Sequence, residues 1–282
     1  MAAGRAPRRF RAGAVLAALA ACVACGAPAA PAPPAVPTLR PQVLAELPHD
    51  TTAFTQGLEI AGAVGGAGDG ADGGGALYEG TGLAGRSRLR ELDPATGAER
   101  RSVPLPGRLF GEGITVVGDR IWQLTWRDGV ALEWDRASLT LRRQVRVDGE
   151  GWGLCRDGGP EATGARLVRT DGTDRLRFHD PDTFAELGSV AVTLDGAPVR
   201  ELNELECVGG QVWANVWRTD RIVRIDPASG RVTAVVDAAG LLDPARRAGT
   251  DVLNGIAAVP GTDEFLLTGK LWPATFRVRF AP

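Results

Sequence analysis

Lysine occurs once and histidine twice among 282 residues, and these scarcities narrow the chemistry. With only His49 and His179, and no paired Cys/His spacing beyond the N-terminal segment, no zinc or haem site is expected. No loop has EF-hand spacing. There is no Gly-x-Ser-x-Gly elbow, P-loop or dinucleotide fingerprint, which argues against serine-hydrolase triads and nucleotide binding, so no cofactor and no metal is expected. The 34 acidic and 32 basic residues nearly cancel, leaving no basic field for nucleic acid. The apolar run from Ala12 to Ala21 is too short to span a bilayer. Long stretches of helical period are missing as well.

The N-terminus reads as an export signal: Arg5, Arg8, Arg9 and Arg11 precede that apolar run. Leu19-Ala20-Ala21-Cys22 matches a bacterial lipobox, which would leave Cys22 lipidated and the chain tethered to a membrane. Ordinary signal cleavage stands beside it as the alternative. Residues 1–27 are assigned to this leader, and residues 28–41, rich in Pro and Ala, to an extended linker. Either way the folded part, residues 42–282, lies outside the cytoplasm: periplasmic, held on the cell envelope, or secreted. Cys155 and Cys207 then sit where a disulfide survives. Two small buried thiols are the preferred reading, with the cross-link as the alternative.

From residue 42 onward short apolar strands alternate with Gly, Asp and Pro turns, and the pattern repeats. Five repeats open on Gln56-Gly57-Leu58, Glu112-Gly113-Ile114, Trp152-Gly153-Leu154, Asn203-Glu204-Leu205 and Asn254-Gly255-Ile256. Second strands follow around Tyr78, Trp122, Val168, Trp213 and Leu266. Third strands run into turns such as Asp93-Pro94-Ala95-Thr96-Gly97 and Asp226-Pro227-Ala228-Ser229-Gly230, where Pro presets φ, Asp caps and Gly accepts a positive φ. A fourth strand completes every repeat but the last. Gln42–Leu47 is a spare strand before the first repeat, and pairing it with the last would close the ring and remove its edges. The expectation is an all-β, five-bladed β-propeller, with residues 65–75 as a glycine-dense insertion in the first blade.

Equivalent residues in such a ring face one another across a central space. The polar or bulky ones are Gln56, Glu79, Glu112, Trp126, Trp152, Asn203, Glu204, Glu206, Trp217, Asn254 and Lys270. Trp126, Trp217 and Lys270 all follow the second strand of their repeats, giving an aromatic wall with an ammonium in it. Lys270 is the sole lysine among abundant arginines, and an ammonium differs from guanidinium in its point-like charge and easily shifted pKa. A surface lysine is the plain alternative. Glu79, flanked by Leu77, Tyr78, Gly80 and Thr81, is the candidate proton carrier if burial raises its pKa. An outward-facing strand residue is the plain alternative there.

Phe54-Thr55-Gln56-Gly57-Leu58, Tyr78-Glu79-Gly80-Thr81, Gly111-Glu112-Gly113-Ile114, Gln123-Leu124-Thr125-Trp126, Gly151-Trp152-Gly153-Leu154, Leu202-Asn203-Glu204-Leu205-Glu206, Ala214-Asn215-Val216-Trp217, Leu253-Asn254-Gly255-Ile256 and Thr268-Gly269-Lys270-Leu271-Trp272 together resemble the plant and bacterial type of glutaminyl-peptide cyclotransferase (glutaminyl cyclase). The resemblance spans the chain after residue 42. It implies a five-bladed propeller and an aminoacyltransferase that acts on peptides or proteins with N-terminal glutamine, closing pyroglutamate and releasing ammonia. It further implies Glu79 as proton shuttle and Lys270 with Gln56 or Asn203 as oxyanion donors. Phe54, Trp126, Trp152 and Trp217 would be the walls. Cys155 departs from the polar residue expected at its place. A monomer is expected. Two other classes stay open: a propeller that only binds peptides, and a metal-dependent lactonase-like hydrolase using Glu79, Glu204, Asn203 and Asn254.

Overall fold

The computed structural model describes residues 1–4, 35–62, 75–158 and 164–282. The leader beyond residue 4, the first half of the linker and all but the end of the glycine-dense insertion lie outside the described residues. Residues 36–282 form one compact unit. Among the described residues it is all-β apart from a single 3-10 turn at Pro244–Arg246.

The first strand, β1 (Thr38–Pro48), is followed by strands in groups of four. The first group is β2 (Thr55–Ala61), β3 (Ala76–Thr81), β4 (Arg88–Leu92) and β5 (Glu99–Pro104). The second is β6 (Gly111–Val117), β7 (Arg120–Thr125), β8 (Val130–Asp135) and β9 (Leu141–Arg146). The third is β10 (Leu154–Asp157), β11 (Arg166–Arg169), β12 (Arg175–His179) and β13 (Glu186–Ala191). A small hairpin, β14 (Thr193–Leu194) with β15 (Ala197–Pro198), precedes the fourth group: β16 (Leu202–Val208), β17 (Gln211–Val216), β18 (Arg221–Ile225) and β19 (Val232–Asp237). The last group has only β20 (Leu253–Ala258), β21 (Glu264–Gly269) and β22 (Ala274–Ala281).

β1 supplies the missing strand. It pairs antiparallel with β22 from Arg40↔Ala281 to Pro48↔Ala274, and its start runs parallel to β19 at Thr38↔Val235 and Leu39↔Val236. The fourth and fifth groups thereby merge into one eight-stranded sheet. The strand starts earlier than the expected residue 42, because Thr38–Pro41 is held by these distant partners despite its linker-like composition.

Five apolar clusters, each shared by two neighbouring groups, take the place of one central core. Tyr78 and Leu89 meet Ile114 and Trp134 between the first and second groups, and Trp122 meets Leu167 and Phe184 between the second and third. Val168 and Phe178 meet Val212 and Val223, and Trp213 and Ile222 meet Phe265 and Phe276. Leu58 and Leu77 meet Ala257 and Leu266, which brings the fifth group back to the first. The opening strands likewise touch in a cycle, β2 to β6, β10, β16, β20 and back to β2.

Around that cycle the backbones approach closely at one repeated place. A Cβ on Gly57 would lie 2.5 Å from the Ile114 nitrogen, one on Gly113 2.6 Å from the Leu154 nitrogen, and one on Gly153 would collide with the Asn203 carbonyl. Only glycine tolerates this approach. The fourth group breaks the pattern with Glu204, whose buried carboxylate accepts the N–H groups of Leu58 at 3.1 Å and Ile256 at 2.8 Å. Burial, reinforced by the Glu59 charge, pushes its pKa well up. Glu204 thus joins three opening strands across the centre.

The turns follow the sequence reading. Asp93 Oδ1 accepts the N–H groups of Ala95 and Thr96, and Gly97 has φ 72°. The two mature cysteines form a disulfide, Cys155 on β10 to Cys207 on β16, correcting the preference for free thiols. The bridge stitches the third group to the fourth across 52 positions of sequence. Closing a loop of that length restricts the unfolded chain, so Cys155→Ala/Cys207→Ala is expected to lose about 2–4 kcal/mol of stability, read from chemical denaturation.

Candidate active site

A cavity of about 360 Å³ opens where the starts of β2, β6 and β16 converge. Its polar residues occupy matching places: Gln56, Glu112 and Asn203 are each the second residue of an opening strand, as is Asn254 behind them. The pairing register jumps just there, between Thr55 and Gly57, Gly111 and Ile114, Leu202 and Leu205, and Leu253 and Ile256. Such irregularities break the alternation and turn side chains toward the axis.

The walls are aromatic. Phe54 meets Phe110 edge-on at 6.2 Å, Phe110 meets Trp126 at 5.4 Å, and Trp152 meets Trp217 edge-on at 5.3 Å. Glu150 joins the two halves: its Oε2 accepts the indole N–H of Trp126 at 2.8 Å and of Trp152 at 2.9 Å. Arg127 pairs with its other oxygen at 2.7 Å and lies over the Trp126 ring. One carboxylate therefore sets two rings.

At the floor, Glu112 is 4% exposed and Lys270 5%. Gln56 Nε2 donates to Glu112 Oε1 at 3.0 Å, and Gln56 Oε1 accepts from Asn254 Nδ2 at 3.3 Å, which fixes the orientation of the amide. Glu112 Oε2 is buried without a hydrogen-bond partner among the described residues. Burial pushes the Glu112 pKa well above the usual carboxylate range; Lys270 opposes this and the Glu150 charge adds to it. Burial lowers the Lys270 pKa, against the pull of Glu112 and Asp251. The ammonium sits 4.9 Å from the centre of the Phe54 ring. An acid and a cation with altered affinities for protons thus share a small apolar-walled space.

Phe54, Gln56, Trp126, Trp152, Asn203, Trp217 and Lys270, all expected from sequence, line this cavity together. Glu79, expected from sequence as the proton carrier, is not among the residues that line this cavity. Both faces of β3 are buried; Tyr78 packs toward the second group, while Leu77, on the same face as Glu79, packs toward the fifth. There Glu79 Oε1 accepts from Thr55 Oγ1 at 2.7 Å and His49 Nε2 at 3.1 Å, and Oε2 accepts from Arg90 Nη1 at 2.9 Å. Burial pushes its pKa up, but His49, Arg90 and Thr55 together hold it below the ordinary value.

Among the described residues no group of three or more His, Cys, Asp or Glu side chains is arranged to hold a metal ion. The two carboxylates of a metal-binding reading are engaged elsewhere: Glu79 in the contacts above and Glu204 with two backbone amides. Phe110, Glu150, Arg218 and Asp251 escaped the sequence reading. Phe110 was accessible, since Phe110-Gly111-Glu112 repeats the spacing of Phe54-Thr55-Gln56.

The sequence model of the glutamine cyclotransferase family matches residues 14–280. This chain belongs to that family. It is 37% identical over 243 residues to the glutaminyl-peptide cyclotransferase of Arabidopsis thaliana, covering 84% of this chain and 70% of that relative. The crystal structure of Myxococcus xanthus glutaminyl cyclase is similar with a TM-score of 0.72 and 38% identity, over 86% of this chain and 97% of that one.

Proposed function

We propose that this protein is a glutaminyl-peptide cyclotransferase that converts the N-terminal glutamine of peptides or proteins to pyroglutamate, and that Glu112 moves the protons. The observation that carries the reading is a buried carboxyl with one unpartnered oxygen, beside the sole lysine, inside an aromatic cavity.

The glutamine stem lies between Phe54, Phe110, Trp126 and Trp217, which exclude water and leave the reacting groups at the floor. The α-amine nitrogen attacks the side-chain amide carbon; a C–N bond forms and the carbonyl becomes an oxyanion. The old C–N bond then breaks and ammonia leaves. Across the two steps the attacking nitrogen loses one proton and the leaving nitrogen gains one, so a single carboxyl can carry it. Raising the pKa of a carboxyl makes it a better base for the attacking nitrogen while it can still return the proton to the leaving one. Ring closure is intramolecular, and holding the two ends in place supplies much of the acceleration. Lys270 and Asn203 are the donors for the oxyanion. Gln56, whose amide hydrogen is engaged with Glu112, orients the acid.

In the same reading the five strand groups are the blades of a five-bladed propeller closed by β1. The protein is an exported monomer, and its Cys155–Cys207 bridge suits an oxidising compartment. Its leader is either lipidated at Cys22, tethering the chain to a membrane, or cleaved; the intact mass of the mature chain distinguishes the two.

Incubating the purified protein with a Gln-initiated peptide should release ammonia and pyroglutamyl product in equal amounts; a rate no greater than spontaneous cyclisation rejects the assignment. Glu150 gives a second check. Its negative charge raises the Glu112 pKa, so Glu150→Gln should move the acid limb of the kcat/KM profile to lower pH. Glu150→Ala, which also removes the acceptor of both indole N–H groups, should in addition cut kcat/KM about tenfold, the order expected when a group that orients others is lost.

A further inference from the structure

We propose that Arg218 binds a carboxylate on the residue following the N-terminal glutamine, so that substrates beginning Gln-Glu or Gln-Asp are preferred. The inference rests on the cavity's assignment to glutamine cyclisation and adds which peptides it favours.

Arg218 lines the cavity but differs from the other charges there. Gln56, Glu112, Asn203 and Lys270 are buried, while Arg218 is exposed beside partly exposed Trp217, which separates a floor from a mouth. Arg127, also stacked on a tryptophan, is paired with Glu150. The Arg218 guanidinium makes no ion pair or hydrogen bond among the described residues; its contact is the Trp217 face, 4.0 Å below. Asp251, the anion at the rim, accepts the N–H of its neighbour Val252 and has Lys270 as its electrostatic partner. The Arg218 charge is left uncompensated.

Its mounting is firm. Trp217 N–H donates to the Glu201 carbonyl at 2.8 Å, and the Thr219 N–H and hydroxyl both donate to the Val216 carbonyl, closing a turn over Arg218. Arg218 has φ 61°, as does Leu271 after Lys270 in the fifth group. The backbone demand therefore belongs to the turn, and what is particular to this place is the cation. A guanidinium flat on an indole keeps its edge donors free for a carboxylate, which it can grip with two parallel bonds.

Consecutive Cα atoms are about 3.8 Å apart. With the glutamine amide between Glu112 and Lys270, the next residue leaves through the mouth beside Trp217 and Arg218. An acidic side chain there meets an unpaired cation on a rigid base, and a lysine meets repulsion.

The test uses C-terminally amidated Gln-Glu-Ala, Gln-Gln-Ala and Gln-Lys-Ala, so that only the second side chain changes charge. The wild-type protein should show kcat/KM up to about fivefold higher for Glu than for Gln, and lower again for Lys, the size expected of an exposed charge pair. Arg218→Gln should bring the three values together and Arg218→Glu should reverse their order. Ratios are taken within each protein, so a change in overall rate divides out. Equal wild-type values, or a preference surviving in Arg218→Gln, overturn the proposal. Peptide affinities measured by fluorescence of the cavity tryptophans read the same preference without turnover: loss of all turnover with the affinity order intact rejects the cyclotransferase reading alone, and equal affinities for the three peptides reject the role of Arg218.

Discussion

Glu112→Gln is expected to lower kcat roughly 10²–10⁴-fold without lowering the melting temperature. The substitution keeps shape and size, and its carbonyl oxygen can accept the hydrogen that Gln56 Nε2 gives to Glu112 Oε1. What disappears is the group that takes one proton and returns another. Stability should hold or rise, because a buried carboxyl whose charged form is disfavoured is replaced by a neutral amide. Lys270→Met should also be slow, by about 3 kcal/mol of barrier if the ammonium supports the oxyanion. The two variants differ in pH dependence. Lys270 pulls the Glu112 pKa down, so its removal should shift the acid limb of the residual activity to higher pH, whereas Glu112→Gln should lose that limb. Near-wild-type turnover by Glu112→Gln, measured as ammonia release, would return the proton transfer to another group.

The strand pattern and the closing strand could be read from the chain because both depend on local signals: alternation, Asp-Pro turns, and one spare strand at the start. Thr38–Pro41 could not, since its partners in β19 and β22 are distant and Pro41 reads as a breaker. The aromatic wall and Lys270 were legible because matching places in successive repeats face a common axis. That Glu79 lies away from this cavity was not legible, for a physical reason. In a strand buried on both faces, as β3 is, alternation cannot say which neighbouring group a side chain meets. Glu112 carried the better signal, since it shares the second place of its opening strand with Gln56 and Asn203. The disulfide shows the same rule in use: counted from the repeated strand start, Cys155 and Cys207 are one place out of step, so alternation turns them to opposite faces. Those faces meet between the third and fourth groups.

Glu79→Gln is expected to destabilise the fold by about 3 kcal/mol, as loss of one partner from a buried ion pair does, which for a chain of this size is a fall of roughly 6 °C in melting temperature. Glu79 is fully buried where the fifth group returns to the first, and its partner His49 follows directly on the closing strand. Both ring nitrogens of His49 face oxygens, Nδ1 the Trp272 carbonyl at 2.8 Å and Nε2 Glu79 at 3.1 Å, an arrangement that favours the doubly protonated ring. Burial lowers the His49 pKa, but Glu79 and the Trp272 carbonyl outweigh it and the net shift is upward from 6.5. Glu79 is shifted downward from 4.5. A raised histidine stabilises fully below its unfolded value and loses that contribution as pH rises through its folded value. A depressed carboxyl stabilises above its unfolded value and loses it as pH falls through its folded one. The pair is therefore at full strength between about pH 4.5 and 6.5, where the wild type and Glu79→Gln should differ most. Toward alkaline pH the gap should narrow without closing, since Arg90 still binds Glu79 at 2.9 Å. Denaturation midpoints across pH measure this directly. A gap that stays constant with pH would mean that His49 contributes packing alone, and a Glu79→Gln protein as stable as the wild type would remove this carboxylate from the closure of the ring.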